Sequence, residues 1–318
     1  MGAVRLCLSI EIQEGLSYAE TLAFTRAAED LRFDASLLAE HYYPTGVTEK
    51  YANGLGERMA ADAWLYLAGL ARETQHIRLG TLVSPVTFRH PSVLAKMAAT
   101  LDHMSDGRAE VGIGAGWFPT EHAAYGFNFP EPKTRVDMVE EQLQVINGLF
   151  SQDPFSHTGT HYSLQDAHFT PTPVQQPRPT IIVGGSSNAQ RLPRLAARYA
   201  DEYVITLPSP DQCRAVRARL DEACAKRGRD PREVRLSVFT PICVAETDAQ
   251  VNETYAAFKD TNPQYSRMMN AETAWIKGTP DRARAQLAEL AELGIARVLL
   301  SVNCDAHLAM LPLLSSGQ

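Results

Sequence analysis

Short apolar runs rich in β-forming residues alternate along the chain with segments of helical periodicity, and this alternation constrains the fold more than any other feature. Eight such runs occur, at residues 4–10, 34–40, 76–84, 108–116, 179–185, 202–206, 234–244 and 296–302. Alternating strands and helices predict parallel pairing through right-handed crossovers. Eight such units in 318 residues favour a closed (β/α)8 barrel, with a doubly wound open sheet as the alternative.

The last predicted helix has clear signals at both ends. Thr279 is a good N-cap, Pro280 suits the first helical position, and Gly294 lies just past the end. Pro193 would break a helix interior, so the helix after the fifth strand is expected to begin as late as Leu192 or Pro193.

The chain reads as a single domain over 1–318, with two insertions that do not fit a minimal barrel. Residues 151–178 are rich in Pro, Gly, Thr and His, and residues 259–278 are too long for a simple connection. Both are predicted to be loops at the C-terminal face of the barrel. Each could be a moving lid or an ordinary solvated loop, because length alone does not distinguish the two.

Composition excludes several classes of function. The formal net charge is −7 and no block of basic residues occurs, which argues against a nucleic-acid partner and favours a small-molecule substrate. The five cysteines have no C-x-x-C pairing, so neither disulfides nor zinc is indicated, and a reducing cytoplasm fits. The apolar run at 4–10 contains Arg5 and stops at Glu11, so it is too short for a membrane span. His157 and His161 lie in a loop, and no metal site is predicted.

Residues at the C-terminal ends of barrel strands face the active-site mouth, so His41, which follows the second strand, is the first candidate for catalysis. Glu40 is its neighbour, and neighbours in an extended strand point to opposite sides, so the two are not expected to act as one acid/base pair. The alternative is a structural or surface histidine.

The third and fourth strand ends also carry candidate residues. The third gives way to Ser84 and Pro85 and then to Arg89, so that backbone groups there could contact a flat ring, or Arg89 could merely cap a surface. The fourth has Gly112, Gly114 and Gly116 at alternate positions, which removes side chains from one face and allows a ligand or another backbone to come close. Trp117 either lines a cavity beside this strand or packs in the core.

The fifth strand ends in "TIIVGGSSNAQ", so Gly184, Gly185, Ser186 and Ser187 follow a buried run. Backbone N–H groups and hydroxyls at such a corner can bind a phosphate. The alternative is a plain strand-to-helix turn in which Ser or Asn is the N-cap.

Taken together, these segments resemble the bacterial-luciferase-like flavin and deazaflavin oxidoreductases over nearly the whole chain. The resemblance is strongest in "LAEHYYPTG", "IRLGTLVSPVTFRHPSVLAKMAATLDHMSDGRAEVGIGAGWFPTEHAAYGF", "GGSS" with "AARYAD", and "GTPDRARAQLAELAELG". It implies a (β/α)8 barrel with a flavin or deazaflavin ring at the C-terminal mouth.

The resemblance also implies roles for particular residues. His41 aligns with the catalytic histidine of the family, and the Leu82–Val83 peptide matches a position where members often have a non-proline cis bond against the ring. The expected cofactor-binding residues are Leu82, Val83, Ser84, Gly114, Gly184, Gly185, Ser186 and Ser187. Tyr42 and Trp117 are expected to line the substrate pocket.

Two departures from luciferase itself are visible. Tyr42 replaces the second His of its E-H-H-F string, and Ala115 stands where it has a phosphate-contacting Arg, so light emission is not implied. The Glu-His pair favours members that use FMN, whereas "PVTFRHPSVLAK" and "AARYAD" resemble sequences assigned to the deazaflavin coenzyme F420.

The leading hypothesis is therefore a monooxygenase that receives reduced FMN from a separate reductase and uses O2 to oxidise a small organic substrate. The alternative is hydride transfer with F420, supplied by a deazaflavin reductase. A third possibility is a non-catalytic flavin-binding protein. Family members are commonly dimers or tetramers, so a homo-oligomer is expected.

Overall fold

The computed structural model of the protein describes residues 3–45, 60–261 and 274–315. Its strands are β1 Arg5–Ile10, β2 Ala35–Leu38, β3 Arg78–Thr81, β4 Ser84–Pro85, β5 Ala109–Gly114, β6 Phe155–Thr158, β7 Ser163–Ala167, β8 Thr180–Gly185, β9 Glu202–Thr206, β10 Arg235–Val244, β11 Ile276–Gly278 and β12 Arg297–Val302. Its α-helices are α1 Tyr18–Asp30, α2 Ala63–Glu73, α3 Pro91–Met104, α4 Pro119–Tyr125, α5 Pro132–Ser151, α6 Leu192–Tyr199, α7 Pro210–Ala225, α8 Asp248–Thr261, α9 Pro280–Glu292 and α10 Asp305–Ser315.

Eight parallel strands close into a barrel, in the order β1, β2, β3, β5, β8, β9, β10 and β12, and β12 pairs back with β1. In the β1–β12 pair that closes the barrel, Arg5 lies beside Arg297 at one end and Ile10 lies beside Val302 at the other. Each of the eight predicted runs contains one of these strands. The (β/α)8 barrel is therefore confirmed, and the open sheet is excluded because it would leave two strand edges unpaired.

The third predicted strand is interrupted. The run at 76–84 divides into β3 and the short β4, and the peptide between Leu82 and Val83 at the break is cis, as the family resemblance implied. Beyond the break, Ser84 pairs with Ile113 of β5. This places residues 82 and 83 at the mouth of the barrel between β3 and β5.

The helix boundaries follow the local signals in the sequence. Helix α9 begins at Pro280 after the N-cap Thr279, and Gly294 beyond its end has a φ of +78°, in the left-handed region that favours glycine. Helix α6 begins at Leu192, so that Pro193 lies in its first turn, where no intrahelical N–H bond is lost. Among the helices of the described ranges, none is long and apolar enough to cross a bilayer.

The expected position of the insertion at 151–178 is wrong. This segment follows a helix and precedes β8, so it leaves and re-enters the barrel at the N-terminal ends of the strands. It forms the antiparallel hairpin β6–β7. Glu141 of α5 holds the tip of this hairpin, because its carboxylate accepts hydrogen bonds from the N–H groups of Thr160, His161 and Tyr162. No residue of 151–178 lines the cavity described below.

Most of the second insertion, 262–273 of 259–278, lies outside the described residues. After it, β11 pairs in parallel with the C-terminal end of β10, from Ile242 to Val244, which places β11 at the mouth side of the barrel.

A charge cluster fills the opposite, N-terminal end of the barrel. Arg297 at the start of β12 is fully buried, and it lies 2.9 Å from both carboxylate oxygens of Glu110 and 3.0 Å from Glu202. It also contacts Asp34, which precedes β2. Burial opposes ionisation of Glu110, yet Arg297 and Arg78 outweigh it and lower the pKa of that carboxyl to about 2. The cluster joins β5, β9 and β12 with β2 across the barrel.

Candidate active site

A cavity of about 560 Å³ opens at the C-terminal ends of the barrel strands. Such a volume suits a cofactor or small-molecule site. Its lining is mostly apolar and is formed by Glu11, Ala39, His41, Thr45, Leu82, Val83, Pro85, Gly114, Ala115, Gly116, Trp117, Gly184, Gly185, Ser186, Leu192, Val204, Thr206, Leu207 and Phe239. The barrel strands β1, β2, β3, β5, β8 and β9 contribute their last residues or the ones after them, as the barrel topology requires, and β10 contributes Phe239.

His41 lies in this lining, and a second side chain fixes its orientation. Its Nδ1 is 2.9 Å from Oε1 of Glu121, and the other oxygen of Glu121 accepts a hydrogen bond from the N–H of Tyr42 at 3.2 Å. The Glu121 side chain is 1% exposed and that of His41 is 12% exposed. A carboxylate that accepts from Nδ1 places the ring proton there, so Nε2 is the nitrogen that can exchange a proton with a bound molecule.

Glu40 faces away from the cavity, as the strand alternation predicts. Its carboxylate accepts hydrogen bonds from both terminal nitrogens of Arg89, from the hydroxyl of Ser84 and from the indole N–H of Trp64 at 3.3 Å. Burial opposes the charge on Arg89, but its hydrogen bonds to Glu40 outweigh burial and raise its pKa. The carboxylate is thus saturated with donors and contributes structure rather than proton transfer.

The glycines of β5 and β8 leave room for the cis peptide. A Cβ at Gly114 would collide with Cγ2 of Val83, and one at Gly184 would lie 2.9 Å from Cγ1 of the same residue. Because both positions lack a side chain, Val83 projects between them into the cavity. At Gly112 a Cβ would collide with the backbone carbonyl of Thr81, so another backbone comes close to β5 there, as the alternate glycines predicted, whereas at Gly114 the group that comes close is the side chain of Val83.

The glycine-serine corner after β8 is partly in the cavity. Gly184, Gly185 and Ser186 line it, whereas Ser187 is buried outside the lining. Arg219 of α7 supports the corner from behind, because its guanidinium donates to the carbonyl of Ser187 at 3.2 Å and to that of Ala189 at 2.8 Å.

The predicted substrate-pocket and ring-contact residues divide between two places. Trp117 lines the cavity, is 48% exposed and packs edge to face with His41 at a centroid distance of 5.6 Å. Tyr42 is outside the lining and lies in an aromatic group with Phe88, with centroids 5.0 Å apart, where burial raises its pKa to about 12. Ser84 is likewise outside the lining, since its hydroxyl is bound to Glu40.

Sequence reasoning missed two acidic residues of the site. Glu121 is 80 residues from His41 in the chain, and only the fold brings the two together. Glu11 follows β1 directly, so its position at the end of a barrel strand was the signal that could have identified it. Within the described ranges, no cluster of three or more His, Cys, Asp or Glu side chains could hold a metal ion.

Glu11 is the second ionisable group of the cavity lining, after His41. Its two carboxyl oxygens lie 3.2 Å from the hydroxyl of Ser9 and 2.8 Å from the amide nitrogen of Gln13. Burial raises the pKa of Glu11, and the hydrogen bond from Gln13 and the charge of His41 oppose this only in part.

Comparisons with known proteins place this site in a family. The model of the family described as luciferase-like monooxygenase matches residues 6–297. The chain is 29% identical over 297 residues to an F420-dependent glucose-6-phosphate dehydrogenase of Microbacterium testaceum, covering 91% of this chain and 81% of the relative. It is 26% identical over 280 residues to an FMNH2-dependent dimethylsulfone monooxygenase of Pseudomonas putida, covering 86% and 70%.

The fold has close counterparts among solved structures. The coenzyme F420-dependent tetrahydromethanopterin reductase of Methanopyrus kandleri superimposes with a TM-score of 0.80 at 17% identity, over 99% of this chain and 98% of that one. At 17% sequence identity, this superposition shows only that the two proteins have the same fold. The family match, however, spans nearly the whole chain and includes every strand that lines the cavity. The chain therefore belongs to the luciferase-like monooxygenase family and is an oxidoreductase.

Proposed function

We propose that the protein transfers a hydride between a small organic alcohol or carbonyl compound and a deazaflavin cofactor of the F420 type. The observation that carries this proposal is the His41 imidazole, which lies in the cavity with Nδ1 held by the buried carboxylate of Glu121. An imidazole oriented in this way is suited to act as a general base through Nε2.

The residues present fit such a cofactor. A Cβ at Gly114 or Gly184 would collide with Val83, so the two glycines let Val83 project from between them toward the place of a flat ring. Leu82 and Val83 would contact the ring, while Gly184, Gly185 and Ser186 would hold a phosphate through neutral donors at the corner that Arg219 supports. A bound deazaflavin would supply a ring carbon that accepts or returns a hydride.

The chemistry of alcohol oxidation explains why a base is needed. When a hydride leaves a carbon that bears a hydroxyl group, the hydroxyl proton must leave as well, and Nε2 of His41 would accept it. Glu121 would stabilise the resulting imidazolium, because a carboxylate beside Nδ1 favours the charged ring. In the reverse direction His41 would return the proton to the carbonyl oxygen.

One further observation favours the deazaflavin over FMN. The F420-dependent relative is 29% identical and is matched over 81% of its length, against 26% and 70% for the FMNH2-dependent one. The resemblances in the sequence are divided, since the Glu40–His41 string favours FMN whereas two other segments favour F420.

The second candidate is an FMN-dependent monooxygenase that receives reduced FMN from a separate reductase and consumes O2. The two dimethylsulfone monooxygenases of Pseudomonas support it, at 26% and 27% identity. The cavity lining is mostly apolar, and exclusion of water from a closed site would suit an oxygen-using enzyme as well.

Titration of the purified protein with oxidised and reduced F420 and FMN, followed by absorbance, tests the proposal. We expect F420 to bind more tightly, and oxidised F420 to be reduced under anaerobic conditions by a panel of alcohols. Preferential binding of reduced FMN, with turnover that needs O2 and a flavin reductase, would establish the second candidate instead. Tight binding with no turnover under either condition would indicate a non-catalytic flavin-binding protein.

The role of His41 is tested separately with His41→Ala and His41→Gln. Loss of a general base lowers turnover by about 10²- to 10⁴-fold. Cofactor affinity should change little, because His41 is not among the residues proposed to hold the cofactor. Full turnover in His41→Ala would remove the histidine from the mechanism.

A further inference from the structure

The corner after β8 has its backbone carbonyls held by side chains from two neighbouring elements. The carbonyl of Ser186 accepts a hydrogen bond from the hydroxyl of Tyr203 at 3.0 Å. The carbonyls of Ser187 and Ala189 accept from the same nitrogen, Nη1 of Arg219, at 3.2 and 2.8 Å. One side chain of β9 and one of α7 therefore fix three carbonyls of this short turn.

Both donors lie outside the barrel. Val204 lines the cavity, and its neighbour Tyr203 is fully buried in the layer between the strands and the helices, because side chains alternate along a strand. Arg219 belongs to α7, one of the helices that surround the barrel. The three carbonyls of the corner therefore point outward, away from the cavity.

The outward carbonyls decide where the following N–H groups point. In a trans peptide the C=O and the N–H of the next residue lie in one plane and point in opposite directions, and none of the peptides of the corner is cis. The N–H groups of Ser187, Asn188 and Gln190 are therefore directed away from β9 and α7, to the side on which the corner lines the cavity. None of these three groups has an acceptor among the described residues.

Several unpaired N–H groups on one side of a turn form an anion-binding concavity. A phosphate has enough oxygens to accept from more than one of them at once. Arg219 is not among the described lining residues, so its guanidinium would not itself contact the phosphate. Its influence passes through the two peptides whose carbonyls it binds.

We propose that Arg219 is a positioning residue for the phosphate of the cofactor: by holding the carbonyls of Ser187 and Ala189 outward, it directs the N–H groups of Asn188 and Gln190 at the phosphate. The identity of the cofactor rests on the proposed function. The role of Arg219 requires only that the cofactor has a phosphate at this corner.

Ligands with and without the phosphate test this role. FMN and riboflavin differ by the phosphate alone, and F420 differs from 8-hydroxy-5-deazariboflavin by the phosphate and the tail attached to it. Arg219→Met retains the length of the side chain but neither its donors nor its charge. Absorbance titration should show a Kd for FMN and F420 that is raised about 10- to 100-fold, the contribution of one hydrogen bond to a charged group, with the Kd for the two unphosphorylated ligands unchanged.

Two further arginine variants serve as controls. Arg219→Lys keeps a positive charge and N–H donors on a flexible chain, and it should recover part of the affinity for the phosphorylated ligands. Arg214→Met changes an exposed arginine of the same helix, which pairs with Asp211, and it should bind all four ligands as the wild type does.

Tyr203→Phe provides an independent test should Arg219→Met fail to fold. It removes a single hydroxyl group, and the carbonyl of Ser186 still accepts from the N–H of Ala189 at 3.1 Å. We therefore expect a smaller loss, again confined to the phosphorylated ligands.

An equal loss of affinity for phosphorylated and unphosphorylated ligands in Arg219→Met would mean that Arg219 only stabilises the fold, and an unchanged Kd for all four would mean that it does not position the corner. Either result overturns the assignment. Tighter binding of FMN than of F420 would count against the proposed function, and the FMN and riboflavin pair would still decide the role of Arg219. If none of the four ligands binds to the wild type, both proposals are wrong.

Discussion

The two ends of the barrel bury charge in opposite ways. At the N-terminal end, Arg297 lies among Glu110, Glu202 and Asp34, and each carboxylate has a cationic partner at hydrogen-bond distance. At the C-terminal end, the hydrogen-bond donors to Glu11 within the described ranges are the neutral side chains of Ser9 and Gln13. The first arrangement compensates its charges, and the second leaves a group that can bind or exchange a proton.

The difference also appears in the directions of the pKa shifts. Burial opposes ionisation at both ends, but Arg297 and Arg78 reverse its effect on Glu110, whose pKa is lowered to about 2, whereas burial prevails at Glu11 and raises its pKa. In a (β/α)8 barrel the N-terminal end serves stability and the C-terminal end serves function. Here glutamate is buried at both ends, and the side chains around each carboxyl group decide whether its pKa is lowered or raised.

The largest expected effect is on stability at the N-terminal end. Arg297→Met removes the shared cation and leaves Glu110 and Glu202 buried without it, which should lower the free energy of unfolding by about 3–5 kcal/mol. Urea denaturation at pH 7 measures this. Arg5→Met is the matched control, because Arg5 pairs with Asp34 at an exposed position, where an ion pair contributes about 1 kcal/mol or less.

If Arg297→Met and Arg5→Met lower the free energy of unfolding equally and only slightly, the charge cluster is not what stabilises this end of the barrel.

The pH dependence of stability gives a second check. Because the pKa of Glu110 is lowered to about 2, its contribution is present above the ordinary value of 4.5 and is lost as the pH falls from there toward 2. The wild type should therefore lose stability in acid more steeply than Arg297→Met.

The second prediction concerns activity at the C-terminal end. Glu121→Gln keeps an acceptor for the Tyr42 N–H but removes the charge beside Nδ1 of His41. Turnover should fall by about 10²-fold, the lower end of what acid–base catalysis contributes. Steady-state kinetics measure the loss, and ¹⁵N NMR of the imidazole reports the tautomer without need of a substrate. Unchanged kinetics together with unchanged His41 shifts would show that Glu121 does not orient the ring.

The third prediction tests the space beside the cis peptide. Gly114→Ala adds a Cβ that would collide with Val83, so Val83 must move within the cavity. Overpacking of this kind costs about 1–3 kcal/mol, and we expect a matching loss of cofactor affinity by absorbance titration. The double variant Gly114→Ala/Val83→Ala removes the methyl group that collides and should recover most of the affinity. Equal affinity in the single variant and the wild type would place the cofactor elsewhere.

The sequence predicted the barrel well because each strand is a local apolar run bounded by turn residues. Local pattern also located His41 and the corner at Gly184, since both lie at strand ends, whereas the Leu82–Val83 peptide was identified through the family resemblance. It could not assign Glu121 to His41, because that contact joins residues far apart in the chain. Nor could alternation alone show what Glu40 binds, because its partner Arg89 belongs to the next βα unit.

The smallest expected effect is the pH dependence of stability at Glu11, which completes the comparison with Glu110. Because the folded protein raises the pKa of Glu11, the native state holds a proton that the unfolded chain releases above 4.5. Its stabilising contribution is therefore full below that pH and is lost as the pH rises through the folded pKa. Glu11→Gln does not titrate and remains neutral throughout.

The melting temperature of Glu11→Gln should consequently gain on that of the wild type as the pH rises from 4 to 8, by a few degrees, the opposite of the trend expected at Glu110. Thermal unfolding of both proteins across this range, with Glu289→Gln as the exposed control, measures the difference. A constant offset between Glu11→Gln and the wild type would mean that Glu11 titrates alike in the folded and unfolded chains. The two ends of the barrel would then differ in geometry but not in how they hold protons.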